Sequence, residues 1–138
     1  MHCGLPSLTT ELALVAERVG MTGQFPHMKT VFLASEMVYD YQREIIERVF
    51  EAYLCEHYGL RELVALFFIC EKGQRHVIPE YSYVEFITED GRDALATNAR
   101  IAEVVGTGFY EYAFPLIRYQ TNDLVELGEN TPCECGRQ

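Results

Sequence analysis

Cys70 and His76 stand on either side of the turn-forming run Glu71-Lys72-Gly73-Gln74-Arg75, and Cys133-x-Cys135 lies close to the last residue, Gln138. A hairpin through Gly73 brings Cys70 and His76 together, and Gly136 allows the sharp backbone turn that a C-x-C pair makes around an ion. Three thiolates and one imidazole fill every position of a tetrahedral zinc, which makes such a site structural rather than catalytic. Spacing alone leaves a second reading open. In it Cys70 is buried at a strand end and Cys133 and Cys135 are loose tail thiols, because C-x-C is less specific than paired C-x-x-C. Cys3 and Cys55 have no partner by spacing; Cys55 is expected in an apolar strand and Cys3 at a frayed terminus.

Two other segments carry side chains able to do chemistry. His57-Tyr58-Gly59-Leu60-Arg61-Glu62 joins an aromatic ring, a turn glycine and a carboxylate, and Pro115-Leu116-Ile117-Arg118-Tyr119-Gln120-Thr121-Asn122-Asp123 ends in a second carboxylate. Taken singly, each has a plain structural explanation. Tyr58-Gly59 is an aromatic beside a strand-end turn, Glu62 a solvated carboxylate opening a short helix, Thr121-Asn122-Asp123 a surface turn, and His57 a satisfied structural histidine.

The elements that position these residues follow from periodicity. After the turn Gly4-Leu5-Pro6, Ser7 is placed to cap a helix whose apolar stripe is Leu8, Leu12, Val15 and Val19, closed by Gly20. A turn-rich link from Thr22 to Pro26 leads to a buried strand over 29–34. Asp40 is placed to cap a second helix with the stripe Tyr41, Ile45, Val49, Phe50 and Tyr53, while Arg43, Glu44, Glu47, Arg48 and Glu51 line its polar face. Helix, strand, helix, strand implies a parallel α/β layer over 1–60. Beyond it, strand candidates at Leu63–Cys70, His76–Ile78, Tyr83–Thr88, Ile101–Val105 and Leu116–Tyr119, with a hairpin turn at Glu89-Asp90-Gly91, imply a β-rich subregion over 61–138. No repeat or linker divides the chain, so the expected class is α/β in a single partial domain.

Composition sets the outer limits. The chain has 138 residues, 49% of them hydrophobic and 23% charged, enough to build a core. No apolar run reaches the roughly 18 residues of a membrane span. A net charge of −10 repels polyphosphate, which argues against a nucleic-acid partner. Five cysteines without a secretory signal read as thiols or metal ligands in a reducing, cytoplasmic setting. Oligomeric state is not encoded in any of these features.

Taken together and in order, the segments resemble a known family. His57 to Glu62 and Pro115 to Asp123 are similar to the YGxTE and YRTGD motifs of the AMP-forming adenylating enzymes. The text PLIRYQTND followed by CECGR resembles the phenylacetate-CoA ligase branch and its CapK-like relatives. Gly4-Leu5-Pro6-Ser7, Ala34-Ser35-Glu36 and the stretch from Cys70-Glu71 to His76-Val77-x-Pro79-Glu80-Tyr81 also resemble that branch, so the likeness runs along nearly the whole chain.

That resemblance implies an enzyme that activates a carboxylic acid with ATP as an acyl-adenylate and passes the acyl group on, commonly to coenzyme A. Tyr58 would lie against adenine, with Ser35, Glu36, His57 and Gly59 around the same slot. Glu62, the catalytic candidate, would hold Mg²⁺ against phosphate oxygens, and Asp123 would accept hydrogen bonds from both ribose hydroxyls. Cys70, His76, Cys133 and Cys135 match the metal set of zinc-containing members.

The departures matter as much. Arg61 replaces a small hydroxyl residue expected to bind phosphate, Asn122 replaces the glycine of TGD, and Ala102-Glu103 stands for Gly-Glu. The phosphate-binding loop and the domain with the catalytic lysine are not in this sequence. The expectation is therefore the middle segment of a ligase, inactive alone. The alternative is a non-catalytic, zinc-stabilised binding or scaffold module that kept the fold.

Overall fold

The computed structural model describes residues 2–128 and 131–137; Gln138 of the tail lies outside them. The chain divides into two compact units, Met1–Tyr58 and Gly59–Gln138.

The first unit is built as strand, helix, strand, helix, strand. β1 (His2–Gly4), β2 (Thr30–Leu33) and β3 (Tyr53–Gly59) form a parallel sheet, in the register Cys3 to Phe32 and Phe32 to Cys55. Cys3 is thus paired in a strand rather than frayed. The helices α1 (Pro6–Arg18) and α2 (Asp40–Phe50) pack on each other and are tied by an Arg48–Glu17 ion pair. A second pair, Arg43–Glu56, ties α2 to β3. The core comprises Val31, Leu33 and Leu54 from the sheet, Ala13 and Ala16 from α1, and Ile46, Val49 and Phe50 from α2.

The faces of both helices differ from their apolar stripes. α1 buries Pro6, Thr9, Thr10, Ala13 and Ala16, whereas Leu8, Leu12, Val15 and Val19 are exposed. Small side chains let α1 approach closely, and Thr10 satisfies its hydroxyl by donating to the Pro6 carbonyl at 2.7 Å. On α2, Ile46, Val49 and Phe50 are buried, Ile45 is half-buried and Tyr41 is exposed, while Tyr53 lies beyond the helix, exposed at the start of β3. α2 begins after Tyr39 rather than by an Asp40 cap, with the Tyr39 N–H donating to the Gln42 side chain. Ser7 lies inside α1 rather than at its cap, which is Leu5.

The second unit is all antiparallel. β4 (Leu66–Ile69) and β5 (Arg75–Val77) form a hairpin, and β6 (Ser82–Ile87), β7 (Ile101–Gly108) and β8 (Tyr119–Glu126) form a sheet with β7 in the centre. The turn at Glu89-Asp90-Gly91 is present, but it leads into a short helix, α3 (Ala94–Thr97), before β7. Asp93 caps α3 by accepting from the N–H groups of Leu95 and Ala96. β8 starts later than Leu116. Arg118 takes a left-handed φ of 50° and its N–H is held by the Thr107 hydroxyl, so the ladder opens only at Tyr119. The α/β class therefore holds, a parallel layer followed by a β-rich part. Among the described residues no helix is long and apolar enough to cross a membrane.

Candidate functional site

The β4–β5 hairpin sets the first half of the metal-ligand cluster. Register Ile69 to Arg75 leaves Cys70 to close the loop. Its N–H donates to the Gln74 carbonyl at 2.8 Å, and Gly73 turns with φ at 75°. His76 sits opposite Phe68, beside Cys70 and equally buried. The second half is a tight turn in which the Gly136 N–H donates to the Cys133 carbonyl at 2.9 Å and Gly136 has φ at 81°. Only glycine adopts that conformation without cost.

These two halves meet. One ligand atom from each of Cys70, His76, Cys133 and Cys135 lies within 4.8 Å of the others. Cys70 Sγ to Cys133 Sγ is 3.8 Å and Cys135 Sγ to His76 Nε2 is 3.4 Å. Bonds of about 2.3 Å to sulfur and 2.0–2.1 Å to nitrogen give tetrahedral edges of roughly 3.8 Å and 3.5 Å, so the donor set fits zinc in size and chemistry. Two ion pairs absent from the spacing argument fasten the tail to the hairpin turn, Lys72 to Glu134 at 3.1 Å and Arg137 to Glu71 at 3.7 Å. Their signal was present as opposite charges flanking both ligand pairs.

Electrostatics divides the thiols. Burial works against a Cys70 thiolate, yet backbone N–H groups of Lys72 and Gln74, with His76 and Cys133, hold its pKa down at about 6. Cys133 is pushed up instead. The Cys135 backbone favours its anion, but burial and the neighbouring sulfurs of Cys135 and Cys70 outweigh that. Cys55 stands apart on β3, its thiol raised by burial.

The remaining site candidates fall in both units. Ser35 and Glu36 follow β2, and His57, Tyr58 and Gly59 close β3, so these five lie along the C-terminal edge of the parallel sheet. Ser35 has φ at 70°, and the Glu36 carboxylate is engaged by Ser7. In the second unit Glu62 is half-buried in the turn before Val64, and Arg61 makes no ion pair with it among the described residues. Thr121-Asn122-Asp123 is a bulge inside β8 rather than a surface turn. The register breaks between Glu103 and Val105, and Asn122 bears the left-handed φ of 61° that a glycine would otherwise supply. Thr121 Oγ1 donates to the Val104 carbonyl at 2.8 Å and accepts from the Asp123 N–H, while Glu103 accepts from the Asn122 N–H. Bulges of this kind re-aim side chains at the edge of a site.

No protein-family model matches the chain, and neither does any curated protein. Solved structures do. A 2-hydroxyisobutyryl-CoA ligase in the postadenylation state, in complex with an acyl-AMP, aligns over 98% of this chain with a TM-score of 0.77 and 19% identity. The same ligase in an open conformation with acyl-AMP and CoA aligns over 98% at 0.71 and 20%. The Vibrio cholerae adenylation domain AlmE, in complex with glycyl-adenosine-5'-phosphate, aligns over 98% at 0.58 and 16%. The chain has the fold of a segment of these ligases. It spans 29% to 32% of the length of each.

Proposed function

We propose that this chain is the nucleotide- and acid-facing middle segment of an AMP-forming ligase of the phenylacetate-CoA ligase and CapK-like type. The observation that carries the reading is the agreement of two independent features. The fold follows acyl-adenylate-bound ligases over 98% of the chain, and the family's motif text falls at strand ends and on the β8 bulge. Ligands of open α/β sheets bind beyond the carboxyl ends of the strands, the edge that carries Ser35, Glu36, His57, Tyr58 and Gly59.

In this reading Tyr58 stacks on adenine, the Ser35–Glu36 backbone and His57 line the same slot, and Asp123 accepts from both ribose hydroxyls. Glu62 supplies the hard oxygen ligand for Mg²⁺, an ion that neutralises phosphate charge when bound. Zinc is held by Cys70, His76, Cys133 and Cys135 and is structural, since four protein ligands leave no open position. In this reading 1–138 is one partial domain of a cytoplasmic enzyme that activates a carboxylic acid and passes the acyl group to an acceptor such as coenzyme A. One observation favours the second reading, a non-catalytic zinc-stabilised binding module: Arg61 occupies the position of the phosphate-binding hydroxyl.

The test is calorimetric titration of AMP into the 138-residue chain and its Tyr58→Ala and Asp123→Ala variants, with pyrophosphate release measured over aromatic and aliphatic acids. Weak saturable binding that both variants reduce, without turnover by the segment, is expected. Absence of binding in the wild type favours the binding-module reading, and robust turnover by the segment alone overturns the assignment as an incomplete ligase.

A further inference from the structure

Between Glu103 and Val105, β8 runs longer than the strand it pairs with. Val105 pairs with Gln120 and Glu103 with Leu124, so a single residue of β7, Val104, stands opposite Thr121, Asn122 and Asp123. Such an excess takes the bulged residues out of the regular ladder, and their conformation is then set by whatever else bonds to them. Two side chains do so here. Thr121 acts from within β8, its hydroxyl donating to the Val104 carbonyl at 2.8 Å and accepting the Asp123 N–H at 3.0 Å. Glu103 acts from the neighbouring strand, its carboxylate accepting the Asn122 N–H at 3.0 Å. Asn122 is also the residue with the left-handed φ of 61°. Even asparagine holds that conformation at some cost, and it persists where the surroundings fix it. Asp123 follows directly, so the direction of its side chain is inherited from the backbone of Asn122.

We propose that Glu103 is a positioning residue for sugar selectivity: by holding the Asn122 N–H it fixes the bulge that aims the Asp123 carboxylate, and so sets the preference for a ribose over a 2′-deoxyribose. This rests on the reading of Asp123 as the hydrogen-bond acceptor for both ribose hydroxyls. Glu103 bonds to backbone in this scheme and not to the nucleotide. A carboxylate takes two neighbouring hydroxyls, one on each oxygen, in a narrow range of orientations. A relaxed bulge therefore keeps one of those bonds and loses the other. A 2′-deoxynucleotide lacks one of the two donors, so the ratio of the two affinities reads the aim of Asp123. Overall affinity does not, because it falls with any loss of fold. Glutamine at 103 keeps an acceptor oxygen at the same reach, and alanine keeps none.

Calorimetric titration of AMP and of 2′-deoxy-AMP into the 138-residue chain is the test, with a melting curve for each variant. Wild type is expected to prefer AMP roughly tenfold, the worth of one hydrogen bond to a charged group, and Asp123→Ala to lose that preference. Glu103→Ala should bring the two affinities to within about twofold, while Glu103→Gln keeps most of the difference. Glu126→Ala removes the Arg100 contact at the far end of the same two strands and should leave the ratio unchanged. If Glu103→Ala does not melt cooperatively, Glu103→Asp takes its place with the same expectation, since it keeps the charge and shortens the reach by one methylene. Full preference in the folded variant overturns the proposal and leaves the reading of Asp123 standing. A loss in Glu103→Gln as complete as in Glu103→Ala also overturns it, because the acceptor oxygen would then not be what matters. No preference in the wild type overturns the reading of Asp123 and this proposal with it.

Discussion

The carboxylate of Glu36 reaches back across 29 residues to Ser7, accepting its backbone N–H at 2.9 Å and its hydroxyl at 3.0 Å. α1 has no side-chain cap of its own and no acidic residue in its first turn. Glu36 therefore supplies from outside both a partner for an orphan N–H and a negative charge at the positive end of the helix. The contact also ties the left-handed turn at Ser35 to the start of α1, which leaves backbone rather than the Glu36 side chain to face anything bound beyond β2.

Removing this cap should cost what a helix cap is worth. Glu36→Ala is expected to lower stability by about 1 kcal/mol, and Ser7→Ala by less because one backbone bond survives. In a double-mutant cycle by chemical denaturation, the combined variant should be no less stable than Glu36→Ala alone. Additive losses would mean that the two side chains act separately.

The pair between α1 and α2 gives an acid-sensitive contribution. Hydrogen bonding and charge from Arg48 hold the Glu17 carboxyl below its ordinary value in the folded chain. A depressed carboxyl contributes stability that is full above its unfolded pKa and is lost as pH falls through the folded one. Glu17→Gln should accordingly flatten the acid side of the melting-temperature profile. Profiles that run parallel from neutral pH down through the carboxylate range would show that the pair contributes nothing.

Gly106 should be the least replaceable glycine of the second unit. A Cβ built there meets the Val64 carbonyl oxygen at 2.1 Å, because the Leu63–Val64 backbone crosses β7 at this point. Gly106→Ala must move one backbone segment and is expected to cost roughly 2–3 kcal/mol. Gly73→Ala has open space and only a left-handed φ to satisfy, so about 1 kcal/mol is expected. Equal losses in urea titrations would contradict the close crossing.

Zinc should be retained through dialysis and lost in Cys135→Ser, as read by elemental analysis. A chelator should lower the melting temperature of the wild type and leave that variant unchanged, since binding confined to the folded state shifts unfolding by mass action. An unchanged wild-type melt after verified metal removal would make the cluster peripheral to stability.

Much of this was legible from residue types. The ligand pairs announced a hairpin and a tight turn because Gly73 and Gly136 lie where left-handed backbone is needed, and Asn122 stood in for a glycine for the same reason. The face of α1 was not legible. Its large side chains are periodic, but its small ones, Ala13 and Ala16, permit the close approach to the core, and a pattern of apolar positions does not reveal which of two adjacent stripes is covered. Arg118 hid the start of β8 because a left-handed arginine has no sequence signal. Asp93 before Ala-Leu-Ala did carry a capping signal for α3, masked by the stronger turn at Gly91.

Cys70 and Cys133 are 63 positions apart, so coordination of one ion closes a ring that contains β5, β6, α3, β7 and β8. Closure by a covalent bond over that length would remove about 4 kcal/mol of freedom from the unfolded chain. A metal does the same reversibly, with the Lys72–Glu134 and Arg137–Glu71 pairs already drawing the ends together. While the ring is shut, a sheet that opens stays tethered at both ends and re-forms from a confined loop. Once it is open, the Lys72–Glu134 and Arg137–Glu71 pairs are left to hold the Cys133–Cys135 turn to the hairpin, and a protease that spares the metal-bound chain gains its first site at that turn.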